Sequence, residues 1–305
     1  MDYPRLRDKY ALLAFTLVAY STAFALDYLI VLPLLWGDTS ILRRILRRSL
    51  LVAVLAVRMW TPALGVMVAS RNSRSYLDRI KRDIKELSLK DVVLTALVVN
   101  GGYLFSVIIA TVLFRIPLVP CIPGISIGLL ALLVITGLVA GVTINGLVAI
   151  GEELAWRGFL LDTLSAKIGT WKALLVIGIM WGLWHAPLIA NGYNFSNGIL
   201  SQCGGSVKGL IAIIVFTLFT ISFGAVLSLL RLATGNIYVA AVGHGIANAV
   251  AGLYAVLLNG SRIIAPPAGI SASLAFAVTA LALSTFARRE VVRTEAKGSC
   301  RKFAT

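Results

Sequence analysis

An all-α polytopic integral membrane protein is the fold class this sequence predicts, on three observations. The 305 residues are 59% hydrophobic and only 13% charged, where an ordinary soluble domain is roughly 25% charged. The apolar residues gather in runs of about 20, long enough to cross a ~30 Å hydrocarbon layer at 1.5 Å per residue. The basic residues behind the formal net charge of +15 sit between those runs and at the termini. Backbone inside a bilayer must satisfy its own hydrogen bonds, so the runs are read as helices. The short alternating segments of a membrane β-barrel are absent.

Eight spans are predicted, at 10–36, 49–69, 91–114, 124–148, 170–190, 208–230, 237–258 and 269–287. Residues 149–165 either continue the fourth helix or form a shorter one beside it. The first run is too long for a signal-peptide core and no small-residue cleavage site follows it, so it is expected to be a retained span. No repeat or low-complexity linker divides the chain. A single membrane domain over 1–305 is expected, with spans lacking motifs in 1–120 and a motif-bearing core in 148–250. The basic loop 70–90 (Arg71, Arg74, Arg79, Lys81, Arg82, Lys85, Lys90) and the basic tail (Arg288, Arg289, Arg293, Lys297, Arg301, Lys302) lie six spans apart, hence on one side. The positive-inside rule makes that side, and the C-terminus, cytoplasmic. The short loop with Arg43, Arg44, Arg47 and Arg48 then falls on the opposite side, against the rule. Within the basic loop, Tyr76, Leu77, Ile80, Ile84 and Leu87 recur at helical spacing, as in a helix lying in the interface or a solvated linker helix.

The charge placement suits an anionic leaflet and argues against a nucleic-acid partner. Cys121, Cys203 and Cys300 are an odd number at scattered positions, so neither a disulfide framework nor a cysteine zinc site is expected.

An ionisable residue inside a span is a functional candidate by default. Asp27 and Arg58 fall at similar depth in two antiparallel spans and are expected to pair, in a structural role. Glu152, Glu153 and Arg157 form the second cluster. On a helix Glu153 and Arg157 stand at i and i+4 with the acid first, the favourable order for an ion pair. Glu152 is turned about 100° away. This divides the roles into a Glu153–Arg157 clamp and a Glu152 left to react. The chain has two histidines, both in apolar spans. His185 follows Trp181-Gly-Leu-Trp, and His244 shares a helix face with Asn248. Gly243 and Gly245 are expected to leave room for a close approach to His244. Either histidine alone reads as an ordinary core residue; two with an asparagine and a free glutamate read as a site.

Three segments carry a resemblance: Glu152-Glu153-Leu-Ala-Trp-Arg157, Trp181-Gly-Leu-Trp-His185 and His244-Gly-Ile-Ala-Asn248. In order and internal spacing they resemble the Glu-Glu-x-x-x-Arg, aromatic-x-x-x-His and His-x-x-x-Asn motifs of the CAAX protease and bacteriocin-processing family of intramembrane endopeptidases. Trp181 stands where that family more often has Phe. The resemblance covers about 150–250, and the first 120 residues carry no recognised motif. It implies hydrolysis of a peptide bond in or beside the membrane. Some relatives trim prenylated CAAX proteins, and others serve bacteriocin maturation or self-immunity.

No Ser or Cys stands beside a His in a suggestive way, so water is the expected nucleophile. Glu152 is assigned as general base, with His185 holding the water and His244 and Asn248 donating to the oxyanion. Glu153, Arg157 and Trp181 support them. The expected partners are the lipid bilayer and a peptide or lipidated protein substrate. No cofactor is needed on this reading. The alternative within the enzyme class is zinc held by Glu152, His185 and His244. Outside it stand a proton- or ion-coupled transporter and an immunity or scaffold protein.

Overall fold

The computed structural model describes residues 10–36, 41–70, 73–120, 124, 126–195 and 208–285. Among them there are helices and loops and no strand. Six helices are long and apolar enough to cross a membrane: α1 (Ala11–Leu35), α2 (Leu46–Ala69), α4 (Leu89–Val112), α5 (Gly128–Ile168), α7 (Gly209–Thr234) and α8 (Ile237–Val256). Two shorter apolar helices, α6 (Thr170–Trp184) and α9 (Ile270–Thr285), occupy the other two expected spans. The amphipathic α3 (Ser73–Lys85) lies between α2 and α4. This is an all-α, multi-pass membrane protein. The three cysteines and the basic tail from residue 286 lie outside the described residues.

Burial follows the logic of a solvent that is itself apolar. Lipid gives leucines no reason to hide, so small residues and aromatics take the helix contacts. Helix α1 buries Ala11, Phe15, Ala19 and Ala23 and exposes Leu13, Leu17 and Leu29. Tyr103 of α4, Tyr254 of α8 and Phe276 of α9 stack or meet edge-on with centroids 5.0–5.5 Å apart.

Helix α5 is one continuous helix, so residues 149–165 extend the fourth span. Its 41 residues reach about 60 Å, twice a bilayer core. Two π-helical segments, Gly141–Asn145 and Leu154–Leu160, reset its faces on either side of the glutamates.

The glycines beside His244 have a different use from the one expected. A Cβ on Gly245 would collide with the Gly141 carbonyl and lie 2.5 Å from Gly146 N. One on Gly243 would lie 2.8 Å from Leu227 and 3.1 Å from Thr95. They seat α8 against α5, α7 and α4, so the space they leave is filled by neighbouring helices and is closed to a substrate. A Cβ on Gly141 would likewise stand 2.5 Å from Ile246 Cα.

A polar cluster ties together the ends of the site-bearing helices. Asp162 of α5 pairs with Arg231 of α7 at 2.6 Å and with Arg79 of α3 at 3.6 Å. Asp83 of α3 accepts the Ile237 N–H at 2.8 Å, and the Asn236 amide donates to the Asp83 carbonyl at 2.7 Å. Asn236 also caps α8 by accepting from Tyr238 and Val239. Helix α3 therefore docks on the protein through Arg79 and Asp83 as well as Ile80, with Leu87 packing just beyond its end, while Ile84 stays exposed. Desolvation and the nearby Arg231 pull the Arg79 guanidinium below its ordinary range, against the opposing carboxylates of Asp162 and Asp83.

Past α8, Arg262 is buried and donates to the carbonyls of Ala255, Leu258 and Pro266 at 2.8–3.3 Å, closing the end of that helix. Burial pushes it down to about 10, so it stays charged at neutral pH. The sequence reading singled out none of Asp83, Asp162, Arg231 or Arg262.

Gly245→Val is expected to destabilise the protein by about 1–3 kcal/mol or more, as overpacking does. Thermal melting in detergent, followed by size-exclusion chromatography, measures it. Gly101→Ala, where an added Cβ meets nothing within 4 Å, is the control expected to leave the midpoint in place.

Candidate active site

The two adjacent glutamates turn to different helices. Glu152 Oε2 accepts the indole N–H of Trp181 on α6 at 2.6 Å. Glu153 Oε1 accepts from Arg157 Nη1 at 2.9 Å and faces His244 Nδ1 of α8 at 2.7 Å. One motif thus fastens α5 to α6 through its first residue and to α8 through its second. The divergence predicted from helical geometry is present, and so is the Glu153–Arg157 pair.

Trp181 is the hub between the motifs. Its ring lies 5.2 Å from that of His244 and 6.0 Å from that of His185, both edge-on. Phe223 of α7 stacks on it at 6.1 Å. The Arg157 guanidinium lies 4.3 Å from its centroid, a cation–π contact. Gly224 makes room for that guanidinium, since a Cβ there would stand 2.9 Å from Arg157 Nη2.

His185 Nδ1 lies 2.9 Å from the Trp181 carbonyl. A carbonyl only accepts, so Nδ1 carries the proton and Nε2 of the neutral ring presents its lone pair outward. His244 Nδ1 likewise donates to the Glu153 carboxylate.

Depth and exposure are graded. Glu152, Glu153 and Arg157 are buried, and His244 is 5% exposed. His185 is half-buried and Asn248 is exposed. Asn248 makes no hydrogen bond among the described residues; it follows His244 by one turn, on the accessible side of the site. Glu153 and His244 each stand about 12–14 Å along their helices from the polar cluster at Asp162 and Asn236, so the two helices reach the site at matching depth.

Three residues that sequence reasoning did not place here belong to the surroundings. Arg58 forms the expected pair with Asp27 and also bonds the Trp184 carbonyl at 2.9 Å. The Trp184 ring meets His185 edge-on at 4.6 Å. Tyr193, just beyond the short helix Ala186–Ala190, lies in the field of Arg58, Glu152 and Asp27. Burial pushes its phenol up, with Arg58 opposing. Trp184 directly precedes His185 in its motif, but no motif spacing joins Arg58 or Tyr193 to the histidines; only folding does.

The donors do not make a ready metal cage. Among the described residues no three His, Cys, Asp or Glu side chains stand in a metal-holding group. Glu153 is engaged by Arg157 and His244, while the Nδ1 contacts of the two histidines leave Nε2 of each uncommitted.

The fold and site define a polytopic helical membrane protein with a buried Glu–Arg–His cluster gathered from three spans. Residues 131–250 match the family model described as type II CAAX prenyl endopeptidase Rce1-like. A curated relative, CAAX prenyl protease 2 of Methanococcus maripaludis, is 41% identical over 56 residues, which is 18% of this chain and 21% of the relative. The similarity thus spans about a fifth of that relative's length. The motif-bearing segment is thus similar to the CAAX prenyl endopeptidase family over residues 131–250.

Removing one partner of a buried pair strands the other, at about 3–5 kcal/mol. Arg157→Met alone is expected to destabilise by that order, and Glu153→Gln/Arg157→Met by less. Melting of the two variants in one detergent makes the comparison.

Proposed function

We propose that the chain is an intramembrane endopeptidase that hydrolyses a peptide bond with water activated by Glu152. The observation that carries this reading is the unequal treatment of the two glutamates. Glu153 is paired with the Arg157 guanidinium and hydrogen-bonded by His244, whereas Glu152 has one neutral donor, the Trp181 indole. Its second oxygen makes no hydrogen bond to the described residues, so it can accept a proton from water. The family match of residues 131–250 supports the same reading.

In the proposed reaction water donates one hydrogen bond to Glu152 and one to Nε2 of His185. Glu152 takes the proton as the water oxygen attacks the scissile carbonyl carbon. The carbonyl π electrons move to oxygen. His244, as imidazolium against the Glu153 carboxylate, donates from Nε2 to that oxyanion, and Asn248 donates from its amide. The tetrahedral intermediate collapses as the C–N bond breaks, and Glu152 returns its proton to the leaving amine. No step requires a metal.

The exposed side of the site, at His185 and Asn248, is the side from which a substrate enters. The substrate class we propose is a membrane-associated peptide, of the prenylated CAAX type or another lipid-borne kind.

The test is cleavage of a fluorogenic prenylated CAAX peptide by purified protein in detergent. Glu152→Gln is expected to abolish cleavage while the protein stays folded. Asn248→Ala is expected to lower the rate about 10²–10³-fold, the usual effect of losing one oxyanion donor. A zinc chelator is expected to change nothing. Normal turnover by folded Glu152→Gln protein would refute the assignment of the base. Loss with chelator and recovery with zinc would refute the metal-free mechanism.

A further inference from the structure

The spans before residue 120 lie outside the family match and carry no motif, yet they bring a charged pair to the edge of the site. We propose that Asp27 and Arg58 are positioning residues for His185, fixing where its ring stands relative to Glu152. The effect on rate rests on the hydrolytic reading above; the effect on the imidazole does not.

Both partners sit at irregularities of their helices. Asp27 opens the π-helical turn Asp27–Val31 within α1. Helix α2 is interrupted directly after Arg58, by the turn at Met59 and Trp60. The guanidinium uses its two edges differently. Nε donates to Asp27 Oδ1, and Nη2 donates to Asp27 Oδ2 at 2.8 Å. Nη2 also donates to the Trp184 carbonyl at 2.9 Å. The guanidinium carbon lies 3.8 Å from the centroid of the Trp184 ring. Arg58 thus grips both the peptide group that leads into His185 and the ring that His185 packs against.

The backbone on the other side of Arg58 reaches the base. A Cβ on Gly151 would stand 2.6 Å from the Met59 carbonyl and 2.8 Å from Trp60 Cα. The turn that follows Arg58 therefore presses on the residue that precedes Glu152. One short stretch of α2 sets Glu152 through its backbone and His185 through its side chain. Asp27 holds the guanidinium in the plane that serves both contacts. Both side chains are buried, at 0% and 2% exposure, so water cannot replace a lost partner. A pair that served only to join α1 to α2 would have no need of the Trp184 carbonyl.

The chain has only two histidines, so the full-length protein labelled with 15N-histidine and freed of any tag gives two imidazole spin systems in detergent. Loss of one in His185→Gln protein assigns both. In the charge-free double variant Asp27→Leu/Arg58→Met, the His185 signals are expected to shift or broaden while those of His244, held by Glu153, stay in place. Arg58→Lys keeps a cation for Asp27 but cannot fork to both acceptors, and it is expected to move the same signals if the double variant fails to fold. On the CAAX-type peptide, either variant is expected to lose about 10²-fold in kcat, the scale of a ~1 Å misplacement, with little change in KM. Unmoved His185 signals in a folded variant, or equal movement of both histidines, would overturn the proposal. If the wild type cleaves no peptide, the hydrolytic reading falls and the imidazole signals still decide this one.

Discussion

A carboxylate shut away from water must find its partners among side chains, and in this protein that constraint falls hardest on Glu153. It is fully buried, and a single oxygen takes hydrogen bonds from Arg157 and His244. Removing either donor would leave charge uncompensated in a medium of low polarity. Much of the surrounding geometry follows from satisfying it. Gly224 must stay small to admit the guanidinium. Trp181 supplies the π face on which that guanidinium rests. Helix α8 must approach α5 closely enough for an imidazole to bridge them. That approach is available because Gly245 meets Gly141 and Gly146 nearly backbone to backbone. The glycines and the carboxylate are two parts of one arrangement, a tight helix pair joined by a charged hydrogen bond.

Depth is set elsewhere, at the polar cluster of Arg79, Asp83, Asp162, Arg231 and Asn236. These residues sit where α5, α7 and α8 end or begin, and α3 is clamped across them. Helices that must present groups at one level need a common origin, and this cluster supplies it. Glu153 and His244 lie at similar distances from it along their separate helices. The π-helical segment at Leu154–Leu160 falls between origin and site. It widens the turn that carries Arg157, letting Arg157 reach back to Glu153 while Glu152 looks toward α6. Such bulges are often found at functional positions.

The parts of this arrangement that were legible in the sequence are those governed by one helix at a time. Run length gave the spans. The i, i+4 spacing gave the Glu153–Arg157 pair, and equal depth in neighbouring antiparallel spans gave Asp27 with Arg58. What could not be read was which helix each group faces across a contact. Nothing in the spacing of Glu152 points to Trp181, and nothing near His244 points to Glu153. Asp83, Asp162 and Arg231 went unremarked because charges near span ends are ordinary, and only their convergence gives them meaning. From sequence, Gly243 and Gly245 offer room for an approaching group, because sequence shows that a side chain is missing but not what fills the gap. From sequence, Arg58 has only a structural role, because its third contact, to the Trp184 carbonyl, is made to backbone.

The charge ledger of the site also explains why one glutamate of two is free to react in the proposed chemistry. Each buried cation nearby already has its own carboxylate: Arg58 has Asp27, and Arg157 has Glu153. Neither is left over for Glu152, whose hydrogen-bond donor is a neutral indole. A base needs a carboxylate whose charge has not been cancelled by a bonded cation, and it needs that carboxylate held still. Here the first condition is met by giving every cation a different partner, and the second by Trp181 on one side and the Met59–Trp60 turn against Gly151 on the other. The second acidic residue of the motif is thus as necessary as the first. Without Glu153, Arg157 would be a buried cation in search of an anion, and Glu152 is the nearest one that has none.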